Sequence, residues 1–155
     1  MILVLKQKIF SLLDSYDICD LNGNCVFRVK SKLALGHCMI VYDSTGREVG
    51  EIKEKVISFL PVFEIYIGGR YAGRIKKELT FFKPKFTLDC FGWSVRGDIM
   101  EWDYSVYDGS RQVMSVSKRL MHLSDTYEIN VPDSGDVIAG LLIALAIDAE
   151  KCSRN

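Results

Sequence analysis

Val41-Tyr42-Asp43-Ser44-Thr45-Gly46, followed by Val49, Ile52 and Lys55, decides the fold, because it is one of four copies of the same phrase. Tyr16-Asp17-Ile18-Cys19-Asp20-Leu21-Asn22-Gly23 leads to Val26, Val29 and Lys32. Ile65-Tyr66-Ile67-Gly68-Gly69 leads to Ala72, Ile75 and Lys77. Tyr104-Ser105-Val106-Tyr107-Asp108-Gly109 leads to Val113, Val116 and the Lys118-Arg119 pair. Each copy predicts strand, tight turn, strand, with a basic residue closing the second strand. The turns have a mechanism: Asp and Asn side chains bond their own backbone, and Gly adopts positive φ without steric cost.

Gly23, Gly46 and Gly69 are spaced 23 residues apart, and Gly109 follows 40 residues later. A single strand-turn-strand unit cannot bury its own apolar face. Several must pair edge to edge, and closure into a barrel removes the free edges. Alternation supports half-buried antiparallel strands. Phe27, Val29 and Leu33 share one face against Arg28, Lys30 and Lys32; Trp102, Tyr104 and Val106 oppose Asp103 and Ser105; Tyr127, Ile129 and Val131 oppose Glu128 and Asn130. The divergent stretch between the third and fourth copies adds strands at Val62–Ile67, Phe86–Phe91 and Trp93–Arg96, with a turn or bulge at Gly97-Asp98. About ten to twelve short strands are expected, with ends placed to about two to four residues.

The C-terminus breaks the pattern. Val137 to Ile147 is an uninterrupted apolar run, with Asp133 or Ser134 able to cap its start and Asp136 in the first turn. As a helix this run spans about 16 Å, against a hydrocarbon core of about 30 Å. A helix apolar on every side must be buried on every side. The expected core helix, about residues 134–152, therefore threads the barrel axis. Ala139, Gly140, Ala144 and Ala146 allow strands to approach it closely.

The chain has 155 residues, 48% hydrophobic and 26% charged, with a formal net charge of zero. One domain, residues 1–155, is expected at this length. Neutral charge argues against nucleic acid, whose binding is dominated by phosphate contacts. The start, Met1-Ile2-Leu3-Val4-Leu5, lacks the basic lead of a signal peptide. The five cysteines include no CxxC pair. The expected setting is the cytoplasm, with attachment at the inner membrane surface as the peripheral option.

In this order of landmarks the chain resembles the LURP-one-related family, which shares a superfamily with Tubby C-terminal domains and phospholipid scramblases. The landmarks are Phe10-Ser11-Leu12 with Tyr16-Asp17-Ile18, the repeated phrase, Gly97-Asp98 ahead of Trp102-Asp103-Tyr104, Asp125-Thr126-Tyr127 with Ile129, and the apolar stretch ending Ala146-Ile147-Asp148. The resemblance implies a mainly β fold, a twelve-stranded antiparallel barrel closed around a central hydrophobic C-terminal helix. It also implies a non-enzymatic module that binds anionic phospholipid head groups or an anionic membrane surface; that part is analogy at the level of fold.

The candidate ligand-binding residues form a basic face: Arg28, Lys30 and Lys32 in the first copy, Lys53 and Lys55 in the second, Arg74 and Lys76 in the third. Aligned hairpins would gather them into a stripe able to hold phosphate, with each Arg a potential two-pronged donor. The same residues also suit a solvated wall on which lysines guard strand edges and Glu51, Glu54 and Glu78 dilute the field. Phe81-Phe82-Lys83-Pro84-Lys85-Phe86 is a candidate membrane contact through Phe82, Lys83 and Lys85, against a core reading that the apolar preference of Phe favours. Val56 to Pro61 is expected mainly in the core, with a barrel rim or a partner contact as the alternative.

No catalytic constellation is found. His37 and His122 are the only histidines, both flanked by apolar residues, and His37 and Cys38 are neighbours that a strand turns to opposite faces. Phosphate-loop, nucleophile-elbow and zinc spacings are missing from the sequence. No cofactor, metal or nucleic acid is expected. The expected partner is an anionic phospholipid or membrane, and the rival is an interaction or scaffold role with another protein.

Overall fold

The computed structural model describes residues 1–6, 15–32, 34–56, 59–78, 80, 85–119 and 126–152, with backbone alone at Lys6 and Cys152. Twelve strands form one antiparallel sheet. They are β1 (Ile2–Lys6), β2 (Ser15–Asp20), β3 (Cys25–Lys32), β4 (Cys38–Asp43), β5 (Glu48–Glu54), β6 (Val62–Ile67), β7 (Arg70–Glu78), β8 (Lys85–Asp89), β9 (Ser94–Asp98), β10 (Asp103–Asp108), β11 (Arg111–Arg119) and β12 (Thr126–Asn130). Their spatial order is β8-β7-β6-β5-β4-β3-β2-β1-β12-β11-β10-β9. The sheet curls nearly shut around one helix, α1 (Val137–Cys152). The seam lies between β8 and β9, where no ladder is found among the described residues.

The repeated phrase folds by repeated chemistry. Asp20 Oδ1 accepts from the amides of Asn22 and Asn24, both at 2.9 Å. Asp43 Oδ1 does the same for Thr45 at 2.9 Å and Arg47 at 3.0 Å. Gly23 and Gly46 then carry φ of 85° and 84°, in the left-handed region where a side chain is strained. These carboxylates are held below the usual range, each led by a side-chain bond, from Asn24 to Asp20 and from Thr45 to Asp43.

Asp133 caps the helical segment, its Oδ1 accepting from Gly135 N at 2.9 Å ahead of the 3-10 turn Ser134–Asp136. Every residue from Ala139 to Glu150 is buried, so α1 fills the barrel as the run of small and apolar residues requires. The approach is close: a Cβ on Gly140 would lie 3.1 Å from Met114 Sδ, and one on Gly50 would lie 2.8 Å from Leu142 Cδ1.

Gly97-Asp98 closes β9 and opens the expected turn: Asp98 Oδ1 accepts from the amides of Met100 at 3.1 Å and Glu101 at 3.3 Å, and a Cβ on Gly97 would meet the Asp103 carbonyl oxygen at 2.5 Å. One expectation is corrected. Val56 and Phe59 are not core: they are 55% and 92% exposed. The barrel interior is already filled by α1, leaving no room for a second apolar insertion from this connection.

Antiparallel connectivity sorts the connections onto two rims. The tight turns after Asp20, Asp43, Ile67, Asp89 and Asp108 lie at one end, where α1 begins. The strand ends Lys32/Cys38, Glu54/Val62, Glu78/Lys85, Asp98/Asp103 and Arg119/Thr126 meet at the other, where α1 finishes. The basic residue closing each repeat is thereby carried to the second rim.

Candidate functional site: the basic wall and the long-loop rim

The seven wall cations are placed by register. Lys32 stands opposite Cys38, Cys38 opposite Lys53, Lys53 opposite Glu64, Glu64 opposite Arg74, and Arg74 opposite Asp89. The cations thus come from β3, from β5 and its end, and from β7, with β4 and β6 between them. Alternate strands lie about 9–10 Å apart, and the gaps are filled largely by carboxylates.

Most of the stripe is neutralised. Arg28 Nε donates to Asp17 Oδ1 at 2.7 Å, and Arg74 Nε to Asp89 Oδ2 at 2.8 Å. Lys53 lies 2.9 Å from Glu51, Lys55 3.2 Å from Glu64, Lys76 3.8 Å from Asp89, and Lys85 3.3 Å from Glu78. The Arg74 guanidinium holds the Asp89 carboxyl below the usual carboxylate range. Lys30 and Lys32 differ: among the described residues neither has a carboxylate partner. Lys30 Nζ instead sits 5.1 Å from the Tyr42 ring centroid. Beside it runs a groove of ≈ 360 Å³ lined by Cys25, Arg28, Lys30, Tyr42, Asp43, Ser44 and Gly46. Alternation in the sequence placed the cations on one face correctly; it carries no information on which acid lies across the ladder.

At the rim where α1 ends, two connections meet. The Glu54 amide donates to the His37 carbonyl oxygen at 2.8 Å. Glu54 Oε2 accepts from His37 N at 2.9 Å and lies 2.6 Å from His37 Nδ1. Gly36 packs so tightly on Val56 that a Cβ would meet its Cγ2 at 2.7 Å. The two connections carry three exposed apolar side chains: Leu35, 90% exposed, Phe59, 92% exposed, and Val56. Lys32 and Lys55 flank them in the chain, and both are exposed. Leu35 lacked a distinguishing signal in the sequence.

The His37–Glu54 pair is the one place where a histidine meets a carboxylate among the described residues. It lines a pocket of ≈ 190 Å³ with Ala34, Leu35, Cys38, Lys53, Lys55 and Glu64. Burial, and then Glu51, push the Cys38 thiol up, away from thiolate. The pair works as a structural clasp between two connections. No group of three or more potential ligands for a metal ion occurs among the described residues. Phe82, Lys83 and His122 lie outside the described residues; Phe86 is buried and Lys85 exposed.

A polar cluster is buried where α1 ends. Lys77 Nζ lies 2.5 Å from Glu150 Oε1, with both side chains nearly inaccessible. Asp148 Oδ1 and the Tyr104 hydroxyl are buried without hydrogen-bond partners among the described residues. Lys151 Nζ donates to the carbonyl oxygens of Ile99 and Met100 and covers the Trp102 ring at 3.8 Å from its centroid. Trp102 itself has φ of 57° and stacks on Tyr127 at 4.0 Å, contacts that hold its left-handed backbone in place. The only sequence sign of this cluster is that Asp148, Glu150 and Lys151 directly follow the apolar run.

Residues 1–148 match the family model described as LURP-one-related. The chain is 34% identical over 147 residues to the protein YxjI of Bacillus subtilis, an alignment covering 94% of this chain and 91% of that one. A crystal structure of an Arabidopsis thaliana protein superposes with a TM-score of 0.61 at 18% identity, covering 95% of this chain and 90% of the other; the likeness is one of fold. Among the described residues no helix is long and apolar enough to cross a membrane.

Proposed function

We propose that this chain, which belongs to the LURP-one-related family, is a non-enzymatic module that docks on an anionic phospholipid surface through the rim where α1 ends. The observation that carries the reading is the pair of clasped connections holding Leu35, Val56 and Phe59 in water beside Lys32 and Lys55. Apolar tips backed by lysines match the interface of a bilayer, where rings and aliphatic chains enter the acyl boundary and ammonium groups meet phosphate.

Magnitudes favour this rim over the wall. Half-burying Leu35 and Phe59 contributes about 1–1.5 kcal/mol each, and a lysine near an anionic surface about 1 kcal/mol. The cations Arg28, Lys53, Lys55, Arg74 and Lys76 already face acids, and exchanging one partner for another yields little; the rim's charge therefore rests on Lys32. The same three apolar side chains would suit a protein partner; Lys32, with no carboxylate partner among the described residues, favours an anionic one.

The test is co-sedimentation of the purified protein with vesicles of phosphatidylcholine alone, or with phosphatidylserine or a phosphoinositide, at low and physiological salt. Binding is expected to require anionic lipid, to weaken with salt, and to leave a salt-resistant remainder from the apolar tips. Absence of binding to every vesicle would end the reading and leave a protein partner as the next target.

A further inference from the structure

Cys19 and Cys25 are opposite each other on β2 and β3, and a bulge puts them there. The ladder runs Asp17–Arg28, Ile18–Phe27, then Cys19–Cys25, so Val26 has no partner. Simple alternation would send Cys25 inward with Phe27 and Val29. The extra residue reverses its side: Val26 and Phe27 both pack on the core, and Cys25 is exposed. Its thiol sits beside Asp17, an outward residue that bonds Arg28, and its Sγ lies 3.5 Å from the Phe27 carbonyl oxygen. Cys19, half-buried, follows Asp17 on the outer face with inward Ile18 between them. Residues directly opposite in an antiparallel pair have Cα atoms about 4.5–5.5 Å apart, inside the span of about 4.4–6.8 Å that a disulfide bridges.

We propose that Cys19 and Cys25 are a modification site, a cross-strand thiol pair that hydroperoxides oxidise reversibly to a disulfide beside the Arg28–Lys30 groove. The remaining described cysteines are poor competitors. Cys38 and Cys90 are buried, and burial pushes the Cys90 thiol up to about 11. Burial, and then Asp17, push the Cys25 thiol up, which disfavours it as the first nucleophile.

The Cys19 thiolate attacks one peroxide oxygen; the S–O bond forms, the O–O bond breaks, and the departing oxygen takes up the proton that Cys19 released and leaves as water, or as an alcohol from an organic hydroperoxide. Cys19 is then a sulfenic acid. The Cys25 sulfur attacks it, the S–S bond forms, the S–O bond breaks, and the hydroxide takes up the Cys25 proton as a second water. Two thiols lose two electrons and two protons, and one peroxide is reduced. A dithiol reverses the step by exchange. Closing the bond withdraws the Cys25 Sγ from the Phe27 carbonyl oxygen and from Asp17, at one wall of the groove.

The test uses the full chain treated with hydrogen peroxide, alkylated with N-ethylmaleimide and digested with trypsin. Residues 9–28 form one tryptic peptide holding both cysteines. It is expected to become lighter by about 2 Da, to take up no alkylating agent, and to regain both adducts after dithiothreitol. The Cys25→Ser protein should give no such peptide and should instead expose a Cys19 sulfenic acid to dimedone. Oxidation that is as fast in guanidinium as in the native state would overturn the proposal, because the native register would then contribute nothing. So would a native peptide that keeps both alkylatable thiols while other cysteines oxidise, or crosslinking only between molecules.

Discussion

Asp148→Asn should stabilise this protein at pH 8 and change little at pH 4. Asp148 is 1% exposed near the end of α1, and its Oδ1 has no hydrogen-bond partner among the described residues. Burial raises its carboxyl from 3.8 to about 7, with Lys151 pulling the other way. In the unfolded chain the group titrates at its ordinary value. Below pH 4 both states hold the proton, and the native fold suffers no penalty. Between pH 4 and pH 7 the unfolded chain ionises while the folded one stays neutral, so stability falls as pH rises. Above pH 7 the loss is complete, on the order of 2–4 kcal/mol. Asparagine cannot ionise, and every other titrating group is common to both proteins. The difference between them therefore isolates Asp148. Urea unfolding followed by the buried Trp93 and Trp102 reads it directly. The gap in midpoint should widen by about 1–2 M urea between pH 5 and pH 8. A gap that stays constant across that range, or one that closes as pH rises, would show that Asp148 is solvated or partnered in the native state.

Two pairs of substitutions test the packing around α1. Gly50→Ala places a methyl group against Leu142 and should cost about 1–3 kcal/mol; combined with Leu142→Ala, the total should fall clearly short of the sum of the single losses, measured by thermal unfolding of the double-mutant cycle. Lys77→Met takes the ammonium away from buried Glu150 and should lower stability, whereas Lys77→Met with Glu150→Leu should recover part of the loss in the same unfolding assay.

The turns and the axial helix were legible because each is local. Asp43 and Gly46 set one hairpin within four residues, and Val137 to Ile147 leave a helix no solvated face. Register is not local. That Arg74 meets Asp89, and Arg28 meets Asp17, depends on which strands pair and on the bulge at Val26. A row of cations readable as one charged face is therefore, in three dimensions, mostly a set of ion pairs. Val56 and Phe59 misled for a related reason: hydrophobicity favours the core only while the core has space, and α1 had taken it. The sorting of connections onto two rims needed only the strand count and antiparallel pairing, and it brings Leu35, a residue with no motif around it, next to Val56.

The central claim is that the rim, and not the wall, meets lipid. The most direct measurement compares two variants with the native protein by co-sedimentation on phosphatidylserine vesicles at physiological salt. One is Leu35→Ser with Phe59→Ser; the other removes a wall ion pair without changing net charge, Arg74→Gln with Asp89→Asn. The account predicts that the rim variant loses about tenfold to a hundredfold in partitioning, as two half-buried apolar side chains require, while the wall variant stays within about threefold of native, as an exposed ion pair allows. Loss in the wall variant with an unaffected rim variant would contradict the claim and return the site to the basic face.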